Sequence, residues 1–127
     1  MVLSRKIRIT AGNVSTEAEL TESETADALW GALPIRGAAN VWGEEIYFQV
    51  PVEAPLEASA REEMEVGEIA YWPPGSAFCI FFGRTPASVD DAPRAASAVN
   101  PLGRVAGDPK DFLSVRSGEA VLLERTT

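Results

Sequence analysis

The chain reads as an all-β protein, about seven or eight short strands closed into a barrel with one or two short capping helices. Three features carry that reading. Many apolar residues fall in short runs of period two, the period of a strand with one buried face. Gly, Pro and Asn break the chain between those runs, and only two stretches carry helix-start chemistry. The stretch Gly67–Thr85 sets Tyr71, Trp72, Phe78, Phe81 and Phe82 in two apolar runs joined by a Pro73-Pro74-Gly75 corner. Closure follows because so many short strands in an open sheet would expose unpaired edges.

Lys6 to Thr10 alternates Ile7 and Ile9 with Lys6 and Arg8, and Gly12-Asn13 turns the chain into Val14 to Leu20, so the pair predicts a hairpin. Thr21 with Glu24 has capping-box spacing, and Ala26, Leu29, Trp30 and Leu33 form an apolar helix face that Pro34 stops. Burying Leu29, Trp30 and Leu33 is worth roughly 1.5–3 kcal/mol each, less the cost of ordering them. Arg36 to Trp42 and Ile46 to Val50 read as a second hairpin about a Gly43-Glu44-Glu45 turn. Glu53 to Glu65 is a solvated excursion with a short edge strand around Met64 and Val66. Ile69 to Trp72 and Ala77 to Phe82 are strands, Ala95 to Val99 is a short one, and Ala120 to Arg125 is the last. Asp108-Pro109 starts a short helix that turns Phe112 inward.

Composition narrows the function. With 127 residues, 46% of them hydrophobic, the chain suits a single domain over 1–127 with one core. A net charge of −8 disfavours nucleic acid and anionic membranes as partners, since both require a basic patch. Histidine is absent and Cys79 is the only cysteine, which removes Ser-His-Asp and Cys-His catalysis, any disulfide within the chain and a His- or Cys-built metal site. No cofactor is expected. No signal-like or membrane-spanning apolar run is present, so the default location is the cytoplasm.

The order of elements and several phrases resemble the cyclophilin fold, in particular the small bacterial and archaeal cyclophilin-like proteins. Gly12-Asn13-Val14-Ser15 with Thr25-Ala26 and Leu29 resembles the opening hairpin and helix. Gly67-Glu68-Ile69-Ala70 leading to Gly75-Ser76-Ala77-Phe78 resembles the central hairpin, and Leu102-Gly103-Arg104-Val105 the closing segment. Tyr71 to Gly75, Cys79 to Gly83 and Trp42 to Phe48 are similar to the small cyclophilin-like group. The resemblance implies an eight-stranded closed barrel with a shallow groove on its outer face. It also implies where isomerase residues would fall, and they do not carry over: the catalytic arginine matches Phe48, the glutamine and phenylalanine match Ala77 and Cys79, the histidine falls near Val99 and the tryptophan near Arg94. Gln49 or Arg84 would have to stand in as the donor to the prolyl nitrogen. Gly67-Glu68 with Pro74 and Gly75 is also similar to part of a cupin motif, but the metal-binding histidines of that family have no counterpart.

The expected ligand-binding residues are Trp42, Tyr47, Gln49, Trp72 and Arg84. On the strand through Ile46, the even positions Ile46, Phe48 and Val50 fill the barrel while Tyr47 and Gln49 face out. Trp72 stands at a stiff proline corner suited to lining a groove. Glu44 and Glu45 read as ordinary turn residues, and Cys79 as a small buried hydrophobe. Two functional classes follow: a binding module for a small molecule or an extended, proline-containing peptide, and an atypical peptidyl-prolyl isomerase. The aromatic rim also offers a surface for a homo-oligomer.

Overall fold

The alternation of Ile7 and Ile9 with Lys6 and Arg8 becomes, in the computed structural model, strand β1, Arg5–Ala11. The structure describes residues 5–126, so residues 1–4 and 127 of the expected domain lie outside the described residues. Gly12, at φ 56°, turns β1 into β2, Val14–Leu20, with Ile7 opposite Ala18. Helix α1, Glu24–Ala32, follows, but its cap is Ser23 and not Thr21. The Ser23 hydroxyl accepts from the Ala26 amide at 3.0 Å, whereas the Thr21 hydroxyl donates to the Leu102 carbonyl. Ala26 and Leu29 are buried in the main core. Trp30 is only half-buried, and its ring is partly covered by the guanidinium of Arg125, 4.6 Å from the ring centroid, and that of Arg5, 5.7 Å away. Leu33 likewise packs at the edge of the core.

The expected second hairpin is divided. Strand β3, Ile35–Ala38, pairs with the last strand, and only β4, Asn40–Val41, turns back on β5, Glu45–Gln49. The excursion after β5 holds β6, Arg61–Glu63. Met64 is buried beside it, whereas Val66 is exposed. Strand β7, Glu68–Trp72, a 3₁₀ turn over Pro73–Gly75, and β8, Ala77–Phe81, form the proline-cornered hairpin. Strand β9 runs from Arg94 to Val105, well beyond the expected Ala95 to Val99. A 3₁₀ helix, Pro109–Ser114, buries Phe112 under an Asp108 cap, and β10, Ala120–Arg125, ends the sheet.

The hydrogen-bonded order is β3-β10-β1-β2-β9-β7-β8-β5-β4, with β6 attached to β9. This corrects the expected barrel: among the described residues the sheet has ten strands and no ladder closes it. The reason lies at Ala39. Its edge strands β3 and β4 are consecutive pieces of one segment that passes from β10 to β5 at this buried residue, so they meet end to end and never side by side. Ala39 is tied there by its amide to the Glu119 carbonyl at 2.9 Å and by its carbonyl to the Gly118 amide at 2.8 Å.

The concave face of the sheet encloses the main core of Ile7, Ile9, Leu29, Ile46, Phe48, Ile69, Phe78, Ile80 and Leu123, with Phe82 and Phe112. Strand β8 is buried on its other face as well. There Cys79 and Phe81 join Met64, Ala70, Ala95 and Val99 in a second, smaller cluster.

Candidate functional site

The second cluster exists because β9 serves two layers. Its end at Val105 lies in the main sheet beside β2, and Asn100 pairs with Tyr71 of β7. Its first half pairs with β6 instead, Val99 opposite Arg61 and Arg94 opposite Glu63, and covers the outer face of β7, β8 and β5. Within the main-sheet half the register with β7 slips, where Ile69 faces Gly103 but Ala70 faces Pro101. A bulge of this kind bends the strand and accommodates a proline that would break a regular ladder.

Under this cover lies a cavity of about 170 Å³. Trp42, Tyr47 and Trp72 line it, with Val99, Ala95 and Ala96 from the covering strand. Glu45 and Cys79 complete the wall. Period two explains the set: Glu45 and Tyr47 share the outer face of β5, and Tyr47 stands opposite Cys79 of β8. Trp72 is held from two sides. Its indole N–H donates to the Ser97 hydroxyl at 2.7 Å, and the ring lies against Gly75, where an added Cβ would stand 2.7 Å from it. Among the described residues, the Trp42 indole N–H and the Tyr47 hydroxyl have no protein hydrogen-bond partner and remain available.

Three of the five expected ligand residues therefore come together, Trp42, Tyr47 and Trp72. Gln49 shares the outer face but is exposed and does not line the cavity. Arg84 lies in the loop after β8, exposed and 3.4 Å from Asp91. Cys79 is buried, its S–H within 3.9 Å of the Ala77 carbonyl and facing the Glu45 carboxyl, and burial followed by the Glu45 charge pushes the thiol well up.

Glu45 is the residue that local reading missed. Placed in the expected turn, it is in fact the first residue of β5 and only 5% exposed. Its Oε1 has no hydrogen-bond partner among the described residues. Burial raises its pKa to about 8, only partly opposed by a hydrogen bond from Cys79. The side chain is thus mainly a neutral acid near pH 7, able to donate through O–H and to accept at the unpaired oxygen. No signal within Gly43-Glu44-Glu45 distinguishes it from Glu44, which reaches the Lys110 ammonium at 3.1 Å on the surface.

Two wider depressions, of about 580 and 480 Å³, border Arg61. The arginines that line them are already paired. Arg61 holds Glu68 through two hydrogen bonds at 2.9 and 2.5 Å, Arg104 pairs with Glu65, and Arg94 pairs with Glu62.

The cyclophilin-like family profile matches residues 5–124. The chain belongs to the cyclophilin-like family. None of the curated proteins matches it. Among solved structures it is similar to a hypothetical protein from Archaeoglobus fulgidus, determined in solution, with 40% identity and a TM-score of 0.84 over 99% of this chain and 98% of that one. Within this cyclophilin-like fold, Phe48, the position where the resemblance puts the isomerase arginine, is fully buried with its ring 5.4 Å from that of Phe78. Among the described residues no helix is long and apolar enough to cross a membrane.

Proposed function

We propose that this cyclophilin-like chain is a binding module for a small molecule, held in the cavity between β5, β8 and the first half of β9. The observation that carries the reading is the Glu45 carboxyl, buried in an apolar wall with one oxygen unpaired. An unsatisfied buried acceptor costs about 1–3 kcal/mol, and a ligand that donates to it recovers that loss. Size limits the ligand: ~150 Å³ of apolar space holds one benzene ring, and this cavity is about 170 Å³. An extended peptide could place one side chain there and no more. A reducing cytoplasm is the setting we assign, which the unpaired thiol of Cys79 suits.

The arrangement favours binding over prolyl isomerisation. Both stand-in donors lie outside the cavity, and Arg84 is turned to Asp91. A titration with single-ring compounds tests the reading: amide resonances of β5, β8 and Arg94 to Val99 should shift together and saturably. Unchanged resonances at millimolar probe would reject it. A protease-coupled assay should show no isomerisation above background, and a rate abolished by Gln49→Ala or Arg84→Ala would favour the isomerase instead.

A further inference from the structure

Taking the cavity as a binding site, we infer that its ligand is a small organic ammonium ion of about one ring, whose N–H meets Glu45 Oε1 and whose charge lies among Trp42, Tyr47 and Trp72. Two features of the site favour a positive charge, and a third calls for a donor, which an ammonium ion also supplies. No lysine or arginine lines the cavity among the described residues, so an anion would find no counter-charge there. The unpaired Glu45 oxygen calls for a donor, which an ammonium supplies and an ether or a carbonyl compound without N–H or O–H does not. Two tryptophans and a tyrosine line the cavity, and aromatic rings attract a cation placed over their faces, more strongly where water is excluded. The net charge of −8 adds a general pull on cations from solution.

Charge and proton are coupled in this uptake. The ligand-free carboxyl carries a proton up to about pH 8. Binding an ammonium ion releases that proton to solvent and forms an N–H···O⁻ contact in its place. Affinity should therefore climb about tenfold per pH unit below pH 8 and level off above it. The titratable groups facing Glu45 are Tyr47 on its own strand and Cys79 from β8. The turn after β4, strand β7 and strand β9 contribute Trp42, Trp72, Ala95, Ala96 and Val99, none of which titrates.

Piperidine, a cation throughout the range from pH 6 to 9, and tetrahydropyran, its neutral isostere, separate this inference from the broader reading. We expect piperidinium to bind at least tenfold more tightly than tetrahydropyran at pH 8, with the pH slope just given. Glu45→Gln should remove both the preference and the slope while still admitting tetrahydropyran. Equal or tighter binding of tetrahydropyran, a flat piperidinium profile, or a slope that persists in Glu45→Gln would overturn the ammonium assignment and leave the cavity as a neutral-ligand site. If neither probe shifts the cavity resonances at millimolar concentration, both the assignment and the binding reading fall.

Discussion

The Trp72 indole N–H donates to the Ser97 hydroxyl at 2.7 Å, tying the proline-cornered hairpin to the strand that covers it. Trp72 is thereby both a wall of the cavity and a clasp for its roof. Ser97→Ala should cost about 0.5–1.5 kcal/mol in a denaturant melt, the loss of one hydrogen bond, and should free the indole to move. Trp72→Ala should leave the far-ultraviolet dichroism unchanged and abolish probe binding. Loss of the folded state would instead make Trp72 a core residue.

Gly75 is kept small by the same indole, since an alanine Cβ there would stand 2.7 and 2.8 Å from two of its ring carbons. Its φ is not positive, so the backbone itself tolerates a side chain. Gly75→Ala should therefore displace Trp72 and weaken probe binding while lowering stability by about 1–3 kcal/mol through overpacking. Tryptophan emission and a thermal melt measure the two effects separately.

The pH dependence of stability should carry two opposed limbs. Glu45 is raised from 4.5 to about 8 in the fold, so the folded chain keeps a proton that the unfolded chain has lost between those values. Its contribution is complete below pH 4.5 and falls away as pH rises to 8, by a few kcal/mol in all. Glu45→Gln should flatten that limb and raise the melting temperature at pH 8 more than at pH 4. For Glu68, burial would raise the pKa, but hydrogen bonds from Arg61 and the Glu65 amide, with the charges of Arg61 and Arg104, hold it below its ordinary 4.5. Its contribution is present above pH 4.5 and is lost as the pH falls through the lowered value, so Arg61→Ala should blunt the acid limb alone.

Asn100 is fully buried, and its amide bonds three residues, one in α1 and two in the segment between β5 and β6. Its Nδ2 donates to the Thr25 hydroxyl at 3.0 Å and to the Pro55 carbonyl at 2.9 Å, while its Oδ1 accepts from the Glu57 amide at 2.9 Å. Thr25 in turn donates to the Glu57 carboxylate. Asn100→Leu leaves these groups unpaired and should cost about 2–4 kcal/mol in a urea melt. A neutral result would mean that water replaces the amide.

Two glycines at positive φ should differ sharply on substitution. Gly118, at φ 93°, has open space around it, so Gly118→Ala should cost roughly 1–2 kcal/mol from the backbone alone. At Gly103, with φ 149°, an added Cβ would overlap the Glu19 carbonyl oxygen across the β2–β9 pairing. Gly103→Ala should cost more than about 3 kcal/mol, with expression and melting temperature as the measures.

Local chemistry was enough for the first hairpin, the proline corner, the outward face of Tyr47 and Gln49, the inward turn of Phe112 and the burial of Cys79. Each depends on neighbours within one strand or turn, where period two and turn residues leave a direct trace. Tertiary structure alone decided the open closure at Ala39, the full length of β9 and the burial of Glu45. Pro101 and Gly103 disguise β9 in sequence because a bulge and a close strand approach call for the same residues as a turn. A glutamate beside a turn looks solvated until a distant strand is laid across it, and its pKa follows that cover and not its sequence neighbours. Alternation records the face a strand presents; what comes to lie on that face is set by contacts between segments far apart in the chain.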